Sequence, residues 1–359
     1  ENFWSEPTAM MASVALAITM GMDLKWTPMI SAATAAVTVV YTAVGGLRTV
    51  VITDVYQFAL LLLGAVVTIA MVSFDVSGFS WWPTQWSPNW DHQPWFSLDP
   101  HVRITFFGAM LSMVLWHVAT AGGDQMAIQR YMATRDEAAA RRSYAVTSIA
   151  TVTTTILLST LGLALLGFFN RYPEALGEGM TLKRSADHVF PYYIAHFLPI
   201  GLSGLVVSAA LAAAMSSIDS GVNSIAAVVT TDFLGRFGWE PKTERGAVLF
   251  SKWISVAVGT VVLLASLLVK HAPGNFAEMT MKTGNLLVTP VFALFILALW
   301  VPFATPLGAW VGCAYGIATA VMIAFGELIT GGTALSFNWV GLSALFVNLL
   351  VAIPISRWG

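Results

Sequence analysis

The sequence has a single cysteine, Cys313, and few charges: Asp, Glu, Lys and Arg make up only 10% of its 359 residues. One cysteine excludes an intrachain disulfide framework and any zinc-finger-like site. Soluble domains carry about 25% charged and about 45–50% apolar residues. Here 57% of residues are hydrophobic and the mean hydropathy is +0.74. Too few charges remain to coat a surface facing water. With 17 Lys+Arg against 19 Asp+Glu and a net charge of −2, there is no basic excess with which to hold nucleic acid. The composition excludes a soluble enzyme, a disordered tail and a disulfide scaffold. What remains is an integral membrane protein whose first partner is the lipid bilayer.

A bilayer-crossing helix needs about 20 consecutive, mostly apolar residues. Runs of this kind lie near 26–45, 50–73, 102–122, 145–168, 248–269, 277–300, 306–326 and 337–355. A further stretch, roughly 199–232, is too long for one span and is polar in its middle. Residues 8–21 read as the end of a span, and the chain opens at Glu1 rather than methionine, as expected of a fragment lacking an N-terminal portion. Roughly ten helical crossings are predicted, the first incomplete. A β-barrel would show short alternating segments instead. If the spans alternate, Arg48, Arg130, Arg135, Arg141, Arg142, Arg236, Lys242, Arg245, Lys252 and Arg357 share one side. Lys25, Arg103, Arg171, Lys183, Arg184 and Lys270 fall on the other. The richer side is assigned to the cytoplasm. The outward loop 74–101 holds Trp81, Trp82, Trp86, Trp90 and Trp95, an aromatic interface cap or a place for sugar stacking.

Ionisable groups at membrane depth are costly and usually serve a site. In Tyr41–Gln57, YTAVGGLRTVVITDVYQ, Gly45-Gly46 ends one helix and Asp54 lies inside the next. Asp54 either caps the cytoplasmic turn with Arg48 or belongs to an ion site. In Ser208–Ser224, SAALAAAMSSIDSGVNS, helical steps place Ala213, Ser216, Ser217, Ser220 and Ser224 on one face, with Asp219 and Asn223 on a neighbouring stripe. A small hard cation wants several oxygen ligands, and clustered hydroxyls with a buried carboxylate supply them. The plainer reading is serines bonding back to carbonyls four residues earlier. His117 sits mid-span, facing either a cavity or a neighbouring helix, while Asp124-Gln125 suits a cap. Lys282 lies near the start of its span, where it either snorkels outward or faces an anionic ligand.

These segments resemble a known family. Tyr41–Gln57 is similar to the YTxxGGLxxVxxTDxxQ stretch of the sodium/solute symporters, which include carriers of glucose, monocarboxylates, iodide and proline. Ala213–Ser224 is similar to that family's AAxMSSxDSxxNS stretch, and Asp124–Arg130 to its DQxxIQR turn. The resemblance implies an all-α integral membrane protein with a five-plus-five inverted-repeat transporter core, first repeat incomplete, and two extra C-terminal helices. The whole chain, 1–359, would be one transporter domain: 1–73 the rest of the first repeat, 102–300 the second, and 304–359 peripheral helices.

The resemblance also implies sodium, Na+, as coupling ion. The family's principal sodium site would map onto Ala213, Ser216 and Ser217, together with carbonyls of a first helix that the chain lacks. A second sodium site would fall on Asp54, Ser216, Asp219 and Ser220, with Asp219 standing where a hydroxyl or small residue is common. The Tyr-Trp pair of the sugar carriers is replaced by Thr120 and Ala121. That departure makes His117, Thr120 and Lys282 the substrate candidates and suits a carboxylate at least as well as a hexose. The expected function is therefore sodium-coupled import of a small organic solute, a sugar or monocarboxylate, across the cytoplasmic membrane. The runner-up is a membrane-embedded solute sensor. An intramembrane hydrolase built on Ser216 or Ser220 with Asp219 would need a base within reach, and His117 is two spans away in sequence, so no enzyme is expected.

Overall fold

The structure is a computed structural model that describes residues 13, 16–85, 94–102, 104–177, 179–182, 185–239, 243–266, 276–331 and 335–358. Residues 8–12, 14 and 15 of the first expected span, Trp86, Trp90, Arg103, Lys183, Arg184, Lys242 and Lys270 lie outside them. Among the described residues the regular elements are all helical. In chain order they are α1 (Thr27–Asp75), α2 (Phe106–Gly123), α3 (Gln125–Met132), α4 (Glu137–Arg171), α5 (Ala186–His196), α6 (Leu202–Val228), α7 (Glu244–Ser266), α8 (Phe276–Trp300), α9 (Pro306–Thr330) and α10 (Asn338–Trp358). A π-helical turn, Val229–Leu234, continues α6.

Seven helical segments among the described residues are long and apolar enough to cross a membrane, and Gly284–Trp300 is a shorter apolar one. The two halves of α1, Thr27–Gly46 and Arg48–Asp75, count separately because Gly46 breaks the helix with φ 63° and ψ −169°. Glycine tolerates that positive φ at little steric cost. The stretch near 199–232, counted as one of the roughly ten crossings, is longer than the about 20 residues a single span needs. Leu202–Leu234 is one continuous helical segment of 33 residues, and its polar middle is buried rather than unwound. Local chemistry sets several ends. Thr105 caps α2 by accepting from Gly108 N–H at 2.9 Å, and Asp124 caps α3 through Met126 N–H at 2.9 Å. Thr305 caps α9 ahead of Pro306, and left-handed Gly331 closes it.

The burial pattern is the inverse of a soluble protein's. Val37, Val40, Val44, Val248, Trp253 and Trp310 are exposed, whereas Thr38, Thr42, Asp219, Ser224, Asn285 and Asn348 are buried. An apolar exterior around a polar, small-residue interior is what a lipid solvent selects.

The chain forms two compact units. One comprises Pro88–Ala140 and Pro273–Gly359, and so holds α2, α3, α8, α9 and α10. Within it α9 and α10 pair along small residues. Gly308, Gly312 and Gly316, one turn apart, face Ser356, Ala352 and Asn348, so closely that a Cβ on Gly312 would lie 2.6 Å from the Ala352 methyl and 2.7 Å from the Asn348 carbonyl. The other unit comprises Asn2–Ser87 and Arg141–Ala272. Its apolar core joins Val72, Val76 and Trp81 to Phe168, Phe169, Tyr193, Ile194 and Val207. Trp81 is buried, donates its indole N–H to Ser73 Oγ at 2.8 Å, and fits where Gly167 has no side chain. A packed role for this loop tryptophan therefore replaces sugar stacking. In the same unit α1, α6 and α7 pack together, with Ala35 and Val39 against Ala214, Ile218 and Val222.

Gly312→Val should force α9 and α10 apart at a cost of about 1–3 kcal/mol, the usual range for overpacking. A lowered melting temperature in detergent would show it, and an unchanged one would remove close helix approach as the basis of this pair.

Candidate cation site

The second unit gathers most of the cation-site candidates between α1 and α6. Asp54 lies on the half of α1 beyond the kink, and Ser216 and Ser220 lie one turn apart on α6. Ser216 donates to Asp54 Oδ1 at 2.5 Å, and Ser220 to Asp54 Oδ2 at 3.4 Å. Asp54 is therefore bridged to α6, whereas the cytoplasmic-cap reading had paired it with Arg48. Asp219 is completely buried on the same helix. Its Oδ2 accepts a hydrogen bond from the hydroxyl of Tyr41, which sits on the other half of α1. Its Oδ1 accepts no well-formed hydrogen bond, with Ser220 the polar neighbour.

Helical geometry explains this convergence. The kink at Gly46 lets both halves of α1 face α6, one delivering Tyr41 and the other Asp54. On α6, Ser216 and Ser220 share a stripe by the four-residue step, and Asp219 lies on the adjacent one. The alanines at 209, 212 and 214 are buried and let the helices approach. Two carboxylates and three hydroxyls thus meet at membrane depth, with Asp54 adding its negative charge to the surroundings of Asp219. Burying such a carboxylate without compensation is expensive. A hard cation held by oxygen ligands is the natural compensation. The donors gathered here are all oxygens, the ligand type that hard cations take.

The remaining candidates behave differently. The Ser217 hydroxyl bonds back to the Ala213 carbonyl at 3.2 Å, so these two lie together on α6 while Ser217 makes the plain intrahelical bond. In the first unit, His117 Nδ1 lies 3.1 Å from the Met113 carbonyl and Thr120 donates to the Trp116 carbonyl at 2.8 Å. Both turn their polar atoms onto their own helix, α2. Lys282 is half-buried near the start of α8. The sequence reading passed over Tyr41, although it lies inside the quoted motif. The signal is in the sequence: Ser31, Thr34, Thr38 and Tyr41 form a polar stripe at helical spacing on a mostly apolar span.

Seven helical segments long and apolar enough to cross a membrane, with buried Asp219 and half-buried Asp54 bonded to hydroxyls between them, make the chain a multi-span membrane protein. The sodium:solute symporter family model matches residues 8–316, and the chain belongs to that family, one of transporters rather than enzymes. It is 28% identical over 326 residues to the sodium-dependent multivitamin transporter of Oryctolagus cuniculus, covering 89% of this chain and 49% of that protein. The sodium/sialic acid symporter NanT of Aliivibrio fischeri is 26% identical, with 87% and 60% covered. Human sodium-coupled monocarboxylate transporter 1 is 27% identical, with 88% and 51% covered. The chain thus spans about half the length of these relatives. A solved Na+-coupled sialic acid symporter in a substrate-bound, outward-open state superposes with a TM-score of 0.78 at 23% identity, covering 99% of this chain and 72% of that one. That likeness shows the fold.

Tyr41→Phe should leave Asp219 buried without its hydroxyl donor and cost about 1–3 kcal/mol of stability. The readout is the melting temperature of the purified protein, with Tyr56→Phe, on an exposed face, as the unchanged control. Equal melting of the two variants would separate Tyr41 from the site.

Proposed function

We propose that the protein is a sodium-coupled symporter that imports a small organic solute, a sugar or monocarboxylate, across the cytoplasmic membrane by alternating access. The observation that carries this reading is the joining of Asp54 on α1 to Ser216 and Ser220 on α6, beside buried Asp219. In this reading sodium sits among these oxygens. Ala213, Ser216 and Ser217 serve the principal sodium site together with main-chain groups of another helix. The two five-helix repeats then move about the midplane.

Coupling follows from linkage. A sodium ion that binds the outward-open state more tightly raises that state's population and with it the apparent affinity for solute. Entry of each ion down an inward-negative potential contributes about 2.3 kcal/mol per 100 mV. Two sodium sites therefore give steeper accumulation than one, and Asp219 strengthens the second by adding charge. His117, Thr120 and Lys282 are assigned to the solute. Support for an acidic solute comes from the cationic or polar character of Lys282 and His117, and from the acids named for two of the relatives.

Uptake by the complete protein in vesicles tests this reading, with sugars and monocarboxylates offered under an inward sodium gradient and with potassium in its place. Sodium-dependent uptake is expected for one class, and uptake indifferent to the exchange of cations overturns the proposal. Ser216→Ala should raise the half-saturating sodium concentration about tenfold, the equivalent of one charge-assisted hydrogen bond or ligand contact. Asp54→Asn should lower the number of sodium ions moved per solute. Stoichiometry unchanged by Asp54→Asn would return Asp54 to a structural role.

A further inference from the structure

A cavity of about 280 Å³ lies where α1, α6 and α7 meet, lined by Thr42, Gly45, Gly46, Asn223, Ser251 and Lys252 among others. It belongs to the same unit as the cation cluster but is a different place with the opposite chemistry. None of its lining residues is acidic. Its polar side chains are one ammonium, which only donates and carries a positive charge, with an amide and hydroxyls that can each donate as well. Thr42 supplies the sharpest indication of an occupant: it is 2% exposed, it lines the cavity, and its hydroxyl oxygen has no hydrogen-bond partner. A buried hydroxyl left unpaired costs free energy unless something in the cavity pairs with it. Ser255, by contrast, already donates to the Ser251 carbonyl at 3.0 Å, which leaves the Ser251 hydroxyl, Asn223 and Lys252 to face a ligand.

The wall of the cavity shows what kind of anion fits. Val44 and Val248 line it and are exposed, apolar and on the lipid-facing side of their helices, and Val37 and Val40 extend the Val44 face along α1. The sequence places the kink of α1, with Arg48 beside it and Arg245 near Lys252 in the chain, on the side rich in basic residues. Basic pockets between spans at that level suit anionic headgroups. We propose that the cavity beneath the Gly46 kink binds a phosphate-bearing anion, seated on Lys252, Thr42 and Ser251. When the anion is a phospholipid, its acyl chains run along Val44 and Val248. This site goes beyond the transport reading and does not depend on it.

Native mass spectrometry of the complete purified protein, titrated with phosphatidylglycerol or phosphatidylcholine, tests the lipid source. Thermal melting in millimolar inorganic phosphate tests the soluble one. Phosphatidylglycerol should bind in preference to phosphatidylcholine, and Lys252→Gln should weaken it about tenfold, as expected for loss of one charge-assisted hydrogen bond. Lys25→Gln, an exposed residue already paired with Asp23, should leave binding unchanged. Should phosphate raise the melting temperature of the native protein but not of Lys252→Gln, with no lipid preference, the site stands and its ligand is the soluble anion. If Lys252→Gln elutes as aggregate, Thr42→Val and Ser251→Ala carry the test, each expected to weaken binding about threefold. Equal binding of the two lipids together with no phosphate effect, or variants indistinguishable from the native protein, overturns the proposal.

Discussion

Two carboxylates set among hydroxyls, half-buried Asp54 and fully buried Asp219, set the main constraint on this molecule. In a lipid solvent nothing outside the protein can solvate them, so the helices that carry them must supply every neighbour. That requirement accounts for the hydroxyls of Ser216 and Ser220 turned toward Asp54, and for Tyr41 brought against Asp219. It also accounts for the small residues on α6, since a carboxylate on one helix reaches a hydroxyl on another only where the backbones come close.

The kink in α1 is what makes the arrangement possible. A straight helix of 49 residues would present Tyr41 and Asp54 at levels about 20 Å apart along one axis, too far to converge on neighbouring turns of α6. Gly46 breaks the axis, and the two halves deliver their polar groups to adjacent residues of one partner helix. The same glycine pair, Gly45-Gly46, lines the cavity beside Thr42, so it shapes both places. In the first unit the close approach of α9 and α10 rests on a different glycine row, which shows the same packing rule applied without any ionisable group.

Much of this was legible before any coordinates. The composition alone required a membrane protein, and the apolar runs located the helices to within a few residues in most cases. Asp54, Ser216, Asp219 and Ser220 stood out because a charge or a cluster of hydroxyls in an apolar run has to be explained. The run near 199–232, longer than one crossing needs and polar in its middle, forms the single helical segment Leu202–Leu234. A helix surrounded by partners has no need of a break, since its serines and its aspartate find their bonds on α1. Tyr41 was passed over because a tyrosine in a span more often anchors an interface, and its hydroxyl partner lies 178 residues away.

Sequence by itself determined the solvent, the helical class and the family, because hydropathy, length and local motifs are properties of consecutive residues. Only the tertiary structure decided which oxygens meet. It joined Asp54 to Ser216 rather than to Arg48, gave Asp219 the hydroxyl of Tyr41, and buried Trp81 in a core instead of leaving it to stack on a ligand. Those pairings follow from crossing helices and from the backbone turn at Gly46. Neither the angle of a crossing nor the direction of a kink is written in the spacing of any one segment.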